Sequence, residues 1–174
     1  MAHIPYSDLQ SPEVAPLVAR ITKERGSVLH LYQMLLHSPP VAEGWLGFLT
    51  AIRQRCELDS ALRELVIMRV AALNGAPYEA DQHAPIALAA GVTEQQLGAL
   101  ESWAESELFT VRQRAVLRLT DEMTKAVQVP KDLIAAVKAF LSDRETVELV
   151  ATIAAYNMVS RFLEALDIHT TDTR

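Results

Sequence analysis

The sequence predicts an all-α fold, a single-domain helical bundle. Composition, helix punctuation and the lack of strand patterning all point that way. Half of the 174 residues are hydrophobic, yet only 6% are aromatic, and Gly and Pro are scarce among abundant Ala and Leu. That balance favours helices over sheets. Helix start and stop signals recur along the chain, and no useful length of strand alternation interrupts them. The length suits one domain, residues 1–174, with no linker.

Each element has a stated signal. Ser11-Pro12-Glu13 reads as an N-cap with Pro at the first helical position, and Gly26 closes that helix. Residues 28–37 form a second helix, ended by Ser38-Pro39-Pro40, and residues 41–56 a third. Asp59 or Ser60 caps a fourth, which runs to Asn74-Gly75, where Gly suits a left-handed C′. Residues 77–90 form a fifth, closed by Gly91. Capping boxes at Thr93–Gln96, Thr110–Gln113 and Ser142–Glu145 open helices near 94–104, 111–128 and 143–166. Pro130 starts a short helix between the last two, and the polar tail from His169 is expected to fray. Glu64-Leu65-Val66 is echoed by Glu148-Leu149-Val150, through either a duplicated helical unit or chance.

Several function classes drop out. The net charge is −6 and no basic cluster stands out, so a nucleic-acid partner is not expected. No apolar run reaches about 18 uncharged residues, which argues against a membrane span. MAHIPYSDLQ lacks the pattern of a secretory signal, so a cytoplasmic location is the remaining expectation. Cys56 is the one cysteine; it cannot supply a CxxC pair, and although Arg53 and Arg55 are placed to lower its pKa modestly, the favoured reading is a small residue near a helix end. No Gly-rich phosphate loop or dinucleotide fingerprint occurs, and no cofactor is expected. Glu64, Glu79 and His83 form part of a metal-ligand set, but no second His stands nearby, and no metal is expected.

The chemistry-bearing residues lie in the fourth and fifth helices. In ALRELVIMRVAAL, Glu64 shares an apolar face with Ala61, Ile67, Met68 and Ala71, whereas Arg63 and Arg69 project elsewhere. A carboxylate there needs hydrogen-bonding partners, or its pKa rises. Either an Arg such as Arg161 neutralises it and it only holds the fold, or it takes part in proton transfer. In NGAPYEADQH, Glu79 and His83 stand one turn apart on an inward face, with Gln82 flanking and Tyr78 to one side. Pro85 is expected to kink this helix. A carboxylate one turn before an imidazole can orient it and raise its basicity. On the last helix Asn157 and Arg161 share a face, and Arg161 is a candidate for a substrate carboxylate, Glu64 or Glu164.

The segment ELVIMRVAALNGAPYEADQHAPIALAAGVTEQQLGAL resembles the carboxymuconolactone decarboxylase family, which also contains alkylhydroperoxidase D-like peroxidases. YE-x-x-QH, the upstream Glu-Leu and the Ala-Gly-Val-Thr that follows carry the likeness, and AAYNMVSRFLEAL extends it, so that it covers about residues 25–168. The resemblance implies an all-helical subunit and a homo-oligomer, trimer or hexamer. In the peroxidase branch a CxxC opens the fifth helix; here its two positions fall on Ala76 and Glu79. The decarboxylase branch places a carboxylate and a His on this helix, as Glu79 and His83 stand here. The expectation is therefore an enzyme using acid–base catalysis on a small carboxylated lactone, keto acid or enol. His83 would be the principal base or acid, with Glu79 orienting it or sharing its proton. Glu64 would be a buried acid or a partner of His83, and Tyr78 an oxyanion donor; Gln82, Asn157 and Arg161 would bind substrate. The alternatives are a peroxidase, which lacks both thiols, and a non-catalytic ligand-binding oligomer.

Overall fold

The computed structural model describes residues 1–173. Among them are nine helices and no strand, which is the all-α class the sequence predicts. They form two compact units, residues 1–55 with those from Leu163 onward, and Cys56–Phe162.

The first unit holds α1 (Ala15–Arg25), α2 (His30–Leu35) and α3 (Pro39–Gln54). Helix α1 starts later than Ser11-Pro12 suggests. The Ser11 carbonyl accepts from the Val14 and Ala15 N–H groups and closes a turn first, and the proline of the opening helical turn is Pro16. Gly26 ends α1 at φ 83°, returning its N–H to Thr22, a conformation that costs Gly little. Pro39 and Pro40 open α3 as well as ending α2, because a fixed φ suits a first helical turn. The tail expected to fray is tied down: Tyr6 donates to the Asp172 carboxylate at 2.6 Å, and His30 Nε2 to the Asp172 carbonyl at 3.0 Å.

The second unit holds α4 (Ser60–Asn74), α5 (Pro77–Ala89), α6 (Glu94–Gly98), α7 (Val111–Lys125), α8 (Lys131–Lys138) and most of α9 (Asp143–Ala165). Asp59 caps α4 by accepting from Leu62 N–H at 3.0 Å, and Gly75 ends it in the left-handed region at φ 61°. The three capping boxes all form, with the Ser or Thr hydroxyl on the third N–H and the Gln or Glu returning to the cap. Helix α6 is shorter than expected, since the chain turns from Ala99 onward. Helix α5 runs through Pro85. The core joins Leu65 of α4, Ala87 of α5, Leu117 of α7, and Val92, Leu100 and Phe109 between them.

Helix α4 packs chiefly against α5 and α7, so little of its circumference meets water. Arg69, which projects away from the Glu64 face, finds its partners inside the protein. Its side chain is buried, with Nε and Nη2 on the two Asp121 oxygens at 2.6 and 2.7 Å and Nη1 on the Leu100 carbonyl at 2.7 Å. Trp103 Nε1 also donates to Asp121. Burial pushes the Asp121 carboxyl up, but the Arg69 hydrogen bonds and charge outweigh it and leave it below the ordinary range. The echoed Glu148 has a local structural role. It accepts the N–H groups of Glu57 and Leu58 at 2.7 and 2.8 Å just before α4.

Removing one partner of a buried ion pair costs about 3–5 kcal/mol, whereas replacing both with apolar groups costs far less. Arg69→Ala is expected to lose about 3 kcal/mol in urea unfolding. Arg69→Met combined with Asp121→Leu is expected to lose less than that single change.

Candidate active site

The short turn at Gly75 brings α5 back against α4 and sets Glu64 opposite His83. The His83 Nδ1 atom lies 2.7 Å from Glu64 Oε2, with both side chains buried. Arg63 Nε reaches the other oxygen, Glu64 Oε1, at 3.2 Å. Burial pushes the Glu64 carboxyl up, but the His83 hydrogen bond and charge, with Arg63, overcome it. Glu64 sits below the ordinary value of 4.5. This excludes the reading of Glu64 as a carboxyl with a raised pKa and leaves it as the ionised partner of His83. A carboxylate only accepts, so Nδ1 carries the hydrogen in this bond.

The carboxylate seen orienting the imidazole is thus Glu64, from the neighbouring helix. Glu79 Oε2 instead lies 2.5 Å from Ser160 Oγ of α9. The His83 ring also packs edge-on against Tyr156, at 90° with centroids 5.1 Å apart. Tyr156 and Ser160 are fully buried in α9 and were missed in the sequence, although they stand one turn apart within AAYNMVSRFLEAL. Two hydroxyl residues at helical spacing inside a mostly apolar helix are the signal that was there to read. Tyr78 is buried in the first turn of α5, beside Glu79. Gln82 is half-buried and makes no hydrogen bond among the described residues.

The structure separates the expected roles of Asn157 and Arg161. Asn157 Oδ1 accepts from Asn74 Nδ2 and Arg161 Nη1, at 3.1 and 2.9 Å. Its Nδ2 donates to Thr124 Oγ1 and the Ile153 carbonyl, both at 3.0 Å. An amide has two donors and two acceptor positions, and those of Asn157 are taken by protein partners, Arg161 among them. Arg161 is exposed, held through Nη1 alone, and pairs with no carboxylate among the described residues. It neutralises neither Glu64 nor Glu164.

Cys56 is half-buried. Burial and the nearby Glu148 charge push its thiol up, against the pull of Arg63 and Arg144, the reverse of the lowering expected from Arg53 and Arg55. Among the described residues no three His, Cys, Asp or Glu side chains converge on a metal-sized site, and no helix is long and apolar enough to cross a membrane.

Residues 39–122 match the carboxymuconolactone decarboxylase family. That segment is just under half of the chain, and over it the chain is similar to that family. The protein YdfG of Bacillus subtilis (strain 168), itself uncharacterized, is 28% identical over 115 residues, 65% of this chain and 78% of its own. A peroxidase-related protein from Ralstonia eutropha JMP134, described as an alkylhydroperoxidase AhpD core, matches with TM-score 0.83 at 17% identity. That match covers 98% of this chain and 93% of the other. A complex of the debrominase Bmp8, as a cysteine-to-alanine variant, with 2,3,4-tribromopyrrole matches with TM-score 0.79 at 17% identity, over 96% of this chain and 92% of that one. At these identities the structures show the fold. Cys56 is the one cysteine, so the chain holds no CxxC pair, and Ala76 and Glu79 are both buried.

Glu64 titrates below its ordinary value, so its ionised form adds stability above pH 4.5, and that contribution is lost as pH falls through the lower folded value. Glu64→Gln is expected to reduce stability at neutral pH and to flatten the acid side of the stability curve, read by urea unfolding across pH.

Proposed function

We propose that the chain is an enzyme that moves a proton on a small carboxylated lactone, keto acid or enol, ending in decarboxylation or isomerisation. The buried His83–Glu64 hydrogen bond supports this most directly. It fixes the imidazole tautomer and supplies the negative charge that stabilises an imidazolium once His83 is protonated. General acid–base catalysis uses that arrangement.

In isomerisation His83 Nε2 takes a proton from a carbon beside a carbonyl. The C–H electron pair moves into the carbonyl, an enolate forms, and the imidazolium returns the proton at the other end of the conjugated system. In decarboxylation the breaking C–C bond supplies that electron pair, carbon dioxide leaves, and the imidazolium protonates the carbon. Tyr78 is assigned the hydrogen bond to the developing oxyanion. Arg161 is assigned the substrate carboxylate, because its guanidinium is held at one nitrogen and lacks a carboxylate partner among the described residues. Gln82 is assigned a secondary polar contact. Assembly as a trimer or hexamer belongs to the same proposal; exposed Val147 and Met158 on α9 support it, and light scattering coupled to gel filtration tests it.

The test is turnover of carboxylated lactones, β-keto acids and muconate-like diacids, chosen by thermal shift. His83→Ala is expected to lower kcat by about 10²–10⁴-fold, the usual contribution of a positioned acid or base. Arg161→Gln is expected to raise KM more than it lowers kcat. Cys56→Ser is expected to keep full activity. Undiminished turnover by His83→Ala would remove the mechanism, and loss of activity in Cys56→Ser would favour thiol chemistry.

A further inference from the structure

Ser160 has one hydroxyl hydrogen and two acceptors within reach. Its Oγ lies 2.5 Å from Glu79 Oε2 and 2.9 Å from the Tyr156 carbonyl. The carbonyl four residues back is the usual acceptor for a helical serine. If the hydroxyl hydrogen goes there, the short contact to Glu79 needs a second hydrogen, and the carboxyl group is its only source. Glu79, Ser160 and Tyr156 are all buried, which disfavours a charged carboxylate. His83, one turn along α5, is bonded to Glu64, which is already ionised. The amino-terminal end of α5 favours ionisation, but that influence is the smaller one at a buried site.

We infer that Glu79 is held as a neutral carboxylic acid that donates to Ser160, and that Ser160 is a positioning residue anchored on the Tyr156 carbonyl. The site then contains two buried carboxyl groups in opposite states, Glu64 ionised and Glu79 protonated. When Glu79 releases its proton to an enolate, the O–H electron pair stays on the carboxylate. The Ser160 hydrogen swings from the Tyr156 carbonyl to the new charge, so the product state remains hydrogen-bonded. The use of this proton rests on the acid–base reading proposed above, whereas its presence in the resting protein does not.

The experiment is infrared spectroscopy of the full-length protein in heavy water at neutral pH, following the carbonyl stretch of protonated carboxyl groups. Wild type is expected to show such a band, Glu79→Gln to lose it, and Glu64→Gln to keep it. Ser160→Ala is expected to move it to higher frequency, because the acid loses its acceptor; a merely structural serine would leave the band in place. Absence of the band in wild type overturns the inference without recourse to any variant, and so does a band that survives in Glu79→Gln. The band with no turnover of any tested acid would sustain this inference while removing the proposed function. Turnover without the band would do the reverse.

Discussion

The hydrogen bond between Glu64 and His83 is the constraint on which the rest of the site depends. A carboxylate in the middle of α4, a helix buried on nearly every side, is a severe liability unless it is paired. His83 and Arg63 bond to its two oxygens, and the His83 bond forms only if α5 returns along α4 in one register. Gly75 provides the reversal and Pro77 the start of the returning helix. The caps at Asp59 and Thr93 fix where the chain around this hairpin starts and stops its helices. A one-residue slip of α5 would move His83 about 100° around its axis and leave Glu64 buried beside apolar carbon. The polar pair thus specifies the register, and the register is what makes an imidazole with a defined tautomer available.

Most of the fold was legible in the sequence because its signals are local. Capping boxes, Gly75 and Gly91 act within a few residues, and the helix boundaries they mark stand close to those observed. Errors came where a local sign had two meanings. Ser11-Pro12 reads equally as a cap and as a turn, and Pro39-Pro40 both ends one helix and begins the next. Arg69 was read only as pointing away from the Glu64 face, because helical periodicity gives a direction and not a partner. Its partner Asp121 lies 52 residues away, and no local pattern announces it.

The site was legible in part for the same reason. Glu64 stood out as a carboxylate in an apolar stripe and His83 as an imidazole on an inward face. That the two meet follows from packing across a turn, which spacing alone does not give. Spacing instead suggested Glu79 as the orienting carboxylate, since i and i+4 share a face. A shared face sets two side chains in the same direction without making them partners, and a third helix competed for Glu79. Ser160 supplies that competition from α9, 81 residues further along. Asn157 was read as a ligand contact because a polar residue in a buried helix suggests function. The structure fills each of its bonding positions from within.

The loss of thiols at Ala76 and Glu79 has a consequence for the whole neighbourhood. A dithiol stores electrons and needs little from its surroundings beyond access and a thiolate-stabilising field. A buried carboxyl group stores a proton, and it does so only where a hydrogen-bonding partner and a low dielectric hold it. Ser160 and Tyr156 provide both at Glu79. Cys56 lies under the opposite influence, since burial and Glu148 disfavour its thiolate. Glu64, Glu79 and His83 stand on a fold that this chain shares with a peroxidase-related protein. Glu64 on α4 is bonded to His83 on α5, so the helical hairpin holds a charged group opposite an imidazole.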